Sequence, residues 1–249
     1  MKNTHFKLFK INSLAKDYLN LYHTSFILVC TLIIPVVAVS QETKSKMRIV
    51  DIEEKIYTAK NGDIVSMEPG TYYGTLLLEN LQNLTLDFTN VELLTNQDVT
   101  IFTLTNCSNI KIIGLTIRHD IIGCFTNCFD VNTSENISFI NCDINGSGFI
   151  GICVNKSSGI KVDSCKIHQC TVGIFLWEHN EIYDGIPAIT SDVTVRECVF
   201  DGNKVGNICF DKNYADLIDF KVTLNGEKFM VTPNDYKNNY LLDVYYIIH

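Results

Sequence analysis

Five short segments of this chain repeat one pattern, and that repetition constrains the fold more than any other feature of the sequence. Each segment opens with a turn residue, continues with alternating apolar positions, and has a small or apolar residue six places after the turn residue. The turn residues are Asn83, Asn109, Asn136, Gly159 and Asp192, so the intervals are 26, 27, 23 and 33 residues. A period of roughly 20 to 50 residues is the signature of a solenoid.

A second short apolar segment follows within the later repeats, starting at Phe129, Ile152, Ile174 and Ile208. Because side chains alternate between the two faces of a strand, the apolar residues of each segment share one face. A pair of strands this short cannot bury that face alone. Stacking successive coils about 4.8 Å apart places each apolar side chain on its equivalent in the next coil.

Three other folds use similar residues, and each lacks a necessary feature here. Residues 81–86 hint at a leucine-rich repeat, but the pattern does not recur and no helical half follows the later strands. A left-handed β-helix would show persistent hexapeptides. A β-sandwich would show hairpin turns and variable spacing rather than equivalent positions in every coil. The pattern therefore favours a parallel β-helix from about Gly62 to about Phe220.

Residues 59–72, which read AKNGDIVSMEPGTY, resemble the opening coil of the pectate-lyase-like superfamily. The superfamily pattern is Ala-x-x-Gly-Asp, a short strand, then Pro-Gly-x-Tyr, and the two Gly-containing pairs are turn signals that bracket the first buried strand. The stretch from His119 to Phe210 further resembles exported bacterial β-helix proteins of unassigned activity. The resemblance covers about two thirds of the chain and implies a right-handed helix.

Together these features predict an all-β fold, a single-stranded right-handed parallel β-helix (a solenoid) with a short N-terminal capping helix. Ile49, Ile52, Ile56 and Ala59 fall at helical spacing just before the first coil and predict that helix. We predict a signal peptide at 1–40, a linker at 41–48, the capped β-helix at 49–225 and a C-terminal cap segment at 226–249. The apolar, aromatic C-terminal end would cover an otherwise exposed sheet edge.

The first 40 residues have the features of an export signal. Four lysines precede an uncharged apolar run at residues 26–39, and Ala38-Val39-Ser40 supplies the small residues that a signal peptidase needs. An uncleaved membrane anchor is the alternative, although the run is short for a spanning helix. We expect the protein to be secreted, or to lie in the periplasm or cell envelope, with no membrane contact beyond this segment.

The net charge of the predicted mature chain bears on its partners. The whole chain has 20 basic and 28 acidic residues; residues 1–40 hold four Lys and one Asp, which leaves 16 basic and 27 acidic residues and a net charge of −11. Such a surface repels nucleic acid and acidic polysaccharide unless a cation bridges them. We therefore expect no nucleic-acid partner, and a polysaccharide is the partner class that the resemblance implies. The oligomeric state is left open.

The ten cysteines of an exported chain would ordinarily suggest disulfides. The repeat register favours another interpretation, because Cys142, Cys165 and Cys198 each lie six residues after a turn residue, where earlier coils have Thr89 and Leu115. These positions predict a ladder of buried free thiols, since parallel side chains oppose the disulfide torsion. No metal site is predicted, because the two-pair spacing typical of zinc ligands is absent.

In enzymes that this sequence resembles, substrate usually lies along the outer face of one sheet, with acidic residues on neighbouring coils. Here the outward positions of the second segments form two rows: Asp130, Cys153, Phe175 and Cys209, then Asn132, Asn155, Trp177 and Asp211. Asp130 and Asp211 are about three coil intervals apart, well beyond the roughly 5–10 Å of a working carboxylate pair. Neither the lyase nor the polygalacturonase arrangement is visible.

The insertion after Trp177 supplies the remaining candidates. Trp177 and Phe175 offer a flat aromatic surface for a sugar ring, and the carboxylates of Asp130 and Asp211 and the hydroxyl of Tyr183 are hydrogen-bonding groups for it. The catalytic residues are unknown, and the candidates for acid and base are Glu178, His179 and Asp184. The alternative is that the insertion covers Trp177 and that its charges are only solvated.

A histidine elsewhere leaves two interpretations open. His119, between Arg118 and Asp120, is either a base beside a carboxylate or an ordinary loop residue.

Three functional hypotheses follow. The leading one is an exported β-helix protein that binds or processes carbohydrate without an identifiable mechanism. The second is a non-catalytic envelope scaffold or protein-interaction module, and the third is a calcium-dependent polysaccharide lyase. Whether the protein is an enzyme stays open. No cofactor is predicted apart from calcium under the third hypothesis.

Overall fold

The computed structural model describes residues 49–121, 123–146, 148–177, 190, 192–211, 220–225, 227–231 and 244–247. All of them belong to one compact unit. A helix, α1, occupies residues 49–57, and strands follow it to the end of the described chain. The predicted all-β solenoid with a short N-terminal helix is confirmed.

Most strands are short. Strands β4 and β6 are long, and each contributes to two neighbouring rows of stacked strands. Their bounds are β1 Ile64–Ser66, β2 Gly70–Tyr73, β3 Leu76–Glu79, β4 Gln82–Thr95, β5 Phe102–Thr105, β6 Ser108–His119, β7 Phe129–Asn132, β8 Ser138–Ile140, β9 Asp143–Asn145, β10 Ile150–Asn155, β11 Lys161–Asp163, β12 Lys166–His168, β13 Val172–Trp177, β14 Val193–Arg196, β15 Val199–Asp201, β16 Gly206–Asp211, β17 Phe220–Leu224, β18 Glu227–Val231 and β19 Val244–Ile247.

Each coil contains three strands rather than the two that the repeat pattern predicted. The first row runs through β1, β4, β6, β8, β11, β14 and β17, and the second row through β2, the later halves of β4 and β6, β9, β12 and β15. The third row, β3 to β5, β7, β10, β13 and β16, forms a separate sheet. The second row was missed because β9, β12 and β15 have only three residues each, too few for a visible alternation.

The predicted turn residues share one backbone conformation. Asn83, Asn109, Asn136 and Asp192 have φ of 54° and Gly159 has 67°. This left-handed region is open to Asn, Asp and Gly at low cost, which explains why those residues mark the repeat. Side chains of stacked turns also form hydrogen bonds with each other: Asn109 Nδ2 donates to Asn83 Oδ1 at 2.9 Å.

A continuous apolar core fills the interior of the stacked coils. It extends from Ile49, Ile52 and Ile56 of α1 to Ile208 of β16. A file of aromatic rings lies within it: the ring centroids of Phe102 and Phe129 are 5.3 Å apart, those of Phe129 and Phe139 4.8 Å, and those of Phe88 and Phe102 6.1 Å. Side chains from neighbouring coils therefore stack on each other, as the repeat predicted.

The predicted cysteine ladder is present. Cys142 and Cys165 are buried, Cys198 is partly buried, and all three are free thiols. The backbone N–H of Cys142 points to Sγ of Cys165 at 3.4 Å. The pKa of the Cys165 thiol is raised to about 12, mainly by a hydrogen bond with Cys142.

The expectation that Thr89 belongs to the same ladder is wrong. Leu115 pairs with Val91, because the register of β4 shifts between Asp87 and Val91. Thr89 is exposed instead, and its N–H and hydroxyl both donate to Asp87 Oδ1, at 3.0 and 2.6 Å. Counting six residues from Asn83 fails because Val91, the partner of Leu115, lies eight residues after its turn residue, two more than in the next coil.

Two antiparallel pairings lie at the C-terminal end of the described chain. β18 pairs with β17, and β19 pairs with β16. All earlier pairings between strands are parallel. The predicted boundaries at residues 40, 48 and 225 stay predictions. No helix among the described residues is both long enough and apolar enough to cross a membrane.

Candidate functional site

On the sheet formed by the third row, the outward-facing residues pair as predicted. Asp130, Cys153, Phe175 and Cys209 pair in sequence on neighbouring strands. Cys153 and Cys209 were expected to be outward, and they do lie outside the core, but both are buried in a second apolar cluster with Ile150 and Val172. This burial raises the pKa of the Cys209 thiol to about 12. The row is therefore polar only at its Asp130 end.

The predicted site residues are only partly within the described chain. Phe175 packs against the outer apolar cluster and is partly buried. Trp177 pairs with Asn155 along the strand, but its side chain and that of Asp211 lie outside the described part. The predicted residues of the insertion, Glu178, His179, Tyr183 and Asp184, also lie outside the described residues. Their roles stay predictions.

Asp130, at the start of β7, accepts hydrogen bonds from two neutral side chains. Thr100 donates its hydroxyl to Oδ2 at 2.9 Å, and Asn127 donates its amide Nδ2 to Oδ1 at 2.5 Å. Both donors precede third-row strands, β5 and β7, so the coil geometry brings them to one end of the carboxylate. The negative charge also acts on the neighbouring coil, because it contributes, after burial, to the raised pKa of the Cys153 thiol.

A second carboxylate, Asp98, lies in the preceding coil and binds the same loop. Its Oδ1 accepts the backbone N–H of Phe125 at 2.8 Å and the hydroxyl of Thr126 at 3.0 Å. These bonds hold the loop before β7 against the loop before β5. They also hold Phe125 in position, and its side chain is 76% exposed.

His119 lies beneath this loop rather than in it. The residue is buried, and its Nε2 is 2.9 Å from the carbonyl oxygen of Val99 and 3.3 Å from the hydroxyl of Thr126. Burial lowers the pKa of the imidazole. The contact with a carbonyl acceptor places a proton on Nε2, so this nitrogen is a donor and cannot accept a proton from a substrate. His119 therefore supports the loop.

We define the loop site as Asp98, Thr100, Phe125, Thr126, Asn127 and Asp130. It combines an exposed aromatic ring, two carboxylates and a buried acceptor, Asn127 Oδ1, that receives no hydrogen bond from the described residues. A carboxylate held by neutral donors accepts further hydrogen bonds from a ligand, and an exposed ring offers a stacking surface. The arrangement suits recognition of a polar ring compound.

Of the loop site, the sequence indicated only Asp130. Asp98 and Phe125 fall in connecting segments, where no periodicity tells which residues meet. Residues 121–128 read IIGCFTNC, a mixed apolar and polar segment in which no sequence signal marks Phe125 as exposed.

A second polar surface lies on the outer face of the second row. Arg118 Nε bonds Glu92 Oε1 at 3.0 Å, and His168 Nε2 lies 2.7 Å from Asp143 Oδ1. Each pair joins neighbouring coils, so these polar side chains are partnered with each other. These two pairs were not predicted because the second row of strands was not recognised in the sequence.

Within the described chain, no three His, Cys, Asp or Glu side chains converge to hold an ion. The expected calcium dependence of the third hypothesis stays a prediction.

The fold and the loop site together define a solenoid protein with a polar surface at one edge of its coils. Residues 100–240 match the family described as the right-handed β-helix region, and the chain belongs to that family. A solved structure of a proposed glycosyl hydrolase from Parabacteroides merdae is similar over 56% of this chain and 79% of that chain, with 12% identity and a TM-score of 0.29. No curated protein matches the chain.

Proposed function

We propose that this chain is an exported protein that binds carbohydrate through the loop site. Parallel β-helices present flat, regularly spaced outer faces, and the fold is compatible with a carbohydrate-related function. Fold alone does not assign function, so the proposal rests on the site.

The observation that carries the proposal is the exposure of Phe125. Most large apolar residues in the described part of the chain are buried, while Phe125 is 76% exposed. Asp98 binds the backbone N–H of the same residue, which fixes the loop that carries the ring and so lowers the entropy lost on ligand binding. A ring held beside hydrogen-bonding carboxylates is the combination that contacts the apolar face and the hydroxyl groups of a sugar.

Export is supported by the N-terminal segment alone. The basic start, the apolar run at 26–39 and the small residues before Gln41 match a signal peptide. Secreted, periplasmic or envelope glycans would then be the accessible ligands. Mass spectrometry of the mature N-terminus tests this part, and an uncleaved Met1 in exported material would contradict it.

A glycan array with the chain lacking residues 1–40 tests carbohydrate binding. We expect binding to at least one glycan class, and we expect Phe125→Ala to weaken it about fivefold or more through loss of stacking. Tyr73→Ala is the matched control, because Tyr73 is an exposed aromatic residue (45%) on strand β2, outside the loop site.

Two results would overturn the proposal. One is the absence of binding to every glycan class by protein that is folded by circular dichroism. The other is equal loss of binding in the Phe125 and Tyr73 variants. The first result would favour the scaffold hypothesis instead.

A further inference from the structure

We infer that the loop site selects glycans that carry a protonated amino group, that is, amino sugars whose nitrogen is not acylated. The inference rests on the proposed function and names the ligand class of the same site. Three features of the site support it: its charge, its exposed ring and its acceptors.

The charge of the loop site is negative and is not balanced locally. Among the described lysine and arginine side chains, none forms a salt bridge with Asp98 or Asp130; Arg118 pairs instead with Glu92 and Asp120. His119 does not neutralise them either, since burial lowers its pKa and favours the neutral ring. A cationic ligand group therefore gains attraction here, while a uronic acid or a sulfated sugar is repelled.

The exposed ring adds a second attraction for the same charge. The face of a phenylalanine ring carries a negative electrostatic potential, and it binds ammonium groups through cation–π contact. The N–H of Phe125 donates to Asp98, so the residue that carries the ring and the carboxylate are held together across two neighbouring loops. A neutral sugar uses the ring for stacking, whereas an amino sugar uses both the ring and the carboxylate.

The hydrogen-bonding groups of the site are acceptors. Both hydrogen bonds to Asp98 reach Oδ1, so Oδ2 accepts none from the described residues. An ammonium group supplies three donors and no acceptor, which matches this free oxygen, while an N-acetyl group supplies one donor and adds a carbonyl.

Affinity measurements on matched oligosaccharides test the inference. Glucosamine oligomers are compared with their N-acetylated counterparts, with neutral glucose oligomers and with galacturonate oligomers of the same length, by titration calorimetry at low salt and neutral pH. We expect the glucosamine oligomer to bind at least about threefold more tightly than its N-acetylated counterpart. We expect galacturonate not to bind, and added salt to weaken only the glucosamine complex.

The diagnostic variant is Asp98→Asn, which removes the charge but keeps an oxygen acceptor for Phe125 and Thr126. It should bring the ratio of the amino-sugar affinity to the N-acetylated affinity closer to one, while Asp130 keeps its charge. Asp163→Asn is the matched control, since that carboxylate pairs with Arg196 on the first row, outside the loop site. Thermal unfolding verifies that both variants are folded.

The failure of this inference is distinguishable from the failure of the proposed function. If acetylated and free amino sugars bind equally, and Asp98→Asn changes neither, the inference is overturned, while a loss caused by Phe125→Ala still supports carbohydrate binding at this site. If no oligosaccharide binds at all, both are overturned. Tighter binding of galacturonate, with or without added calcium, would also overturn the inference.

Discussion

The backbone N–H of Phe125 donates a hydrogen bond to the carboxylate of Asp98, 2.8 Å away, and this contact joins loops from two neighbouring coils. The two loops also share a backbone hydrogen bond, from the N–H of Ile101 to the carbonyl of Asn127 at 3.2 Å. Side chains add to it, and Asp98 supplies two of the bonds that hold the loop before β7.

Asp98→Ala removes the acceptor from both bonds and should loosen the loop before β7. Because Asp98 is exposed, we expect a loss of only about 1 kcal/mol in the free energy of unfolding. Asp98→Asn should cost less, since the amide oxygen still accepts. Hydrogen exchange at the Phe125 amide measures the effect locally, and equal exchange rates in the two variants would contradict this account.

Two phenylalanines four residues apart should respond in opposite ways to truncation. Phe129 is fully buried between the rings of Phe102 and Phe139, so Phe129→Ala should cost about 3–5 kcal/mol. Phe125→Ala removes an exposed ring and should change stability by less than about 0.5 kcal/mol. Urea unfolding of both variants checks this. A large loss in Phe125→Ala would mean that its ring is packed rather than available to a ligand.

The buried hydroxyl of Ser134 should be necessary for stability. Its Oγ accepts the N–H of Cys107 at 3.0 Å and donates to the carbonyl of Asn132 at 2.8 Å. Ser134→Ala leaves the Cys107 N–H without this acceptor inside the protein, which should cost about 1–3 kcal/mol. The control is Ser138→Ala, which lies on a partly exposed position of β8. Equal losses in the two variants would contradict the role of the hydroxyl.

The buried thiols should resist alkylation in the folded protein. Burial raises the pKa of Cys170 and Cys209 to about 12, so at pH 8 almost none of either is the reactive thiolate. Treatment with iodoacetamide at pH 8, followed by peptide mass spectrometry, should modify these residues only after unfolding in urea. Rapid modification of the folded protein would show that they are accessible.

Stability should fall in mild acid because of His119. Burial lowers the pKa of the folded imidazole below its unfolded value of about 6.5, so the unfolded chain binds more protons below that pH. The stabilising contribution is complete above about pH 6.5 and is lost as the pH falls toward the folded pKa. His119→Gln should reduce this slope between pH 7.5 and 5.5 in urea unfolding, compared with His168→Gln as the control on the outer face. An unchanged slope in His119→Gln would exclude this cause.

The repeat made most of the architecture predictable. Asn83, Asn109, Asn136 and Asp192 mark turns because only a few residue types adopt a positive φ cheaply, and that preference is local to the residue. The burial of Ile152 and Ile174 follows from alternation, which is also local. The cysteine ladder could be predicted for the same reason, since equal spacing from the turn gives equal orientation.

The loop site was not predictable in this way. Asp98 and Phe125 are 27 residues apart, and their contact depends on how two irregular loops of neighbouring coils pack. The misplacement of Thr89 has a similar cause, because a turn two residues longer shifts the register without changing the apolar pattern. Burial of Cys153 and Cys209 on the outer face also depends on neighbouring side chains rather than on alternation.

The sequence by itself therefore determined the solenoid, its turn positions and the inward face of its strands, since each depends on backbone preferences and period within one coil. Only the tertiary structure decided that each coil has three strands, which outward residues are covered, and which loop residues surround Asp130. Those features arise from contacts between coils about two dozen residues apart, and a periodic pattern carries no information about irregular segments.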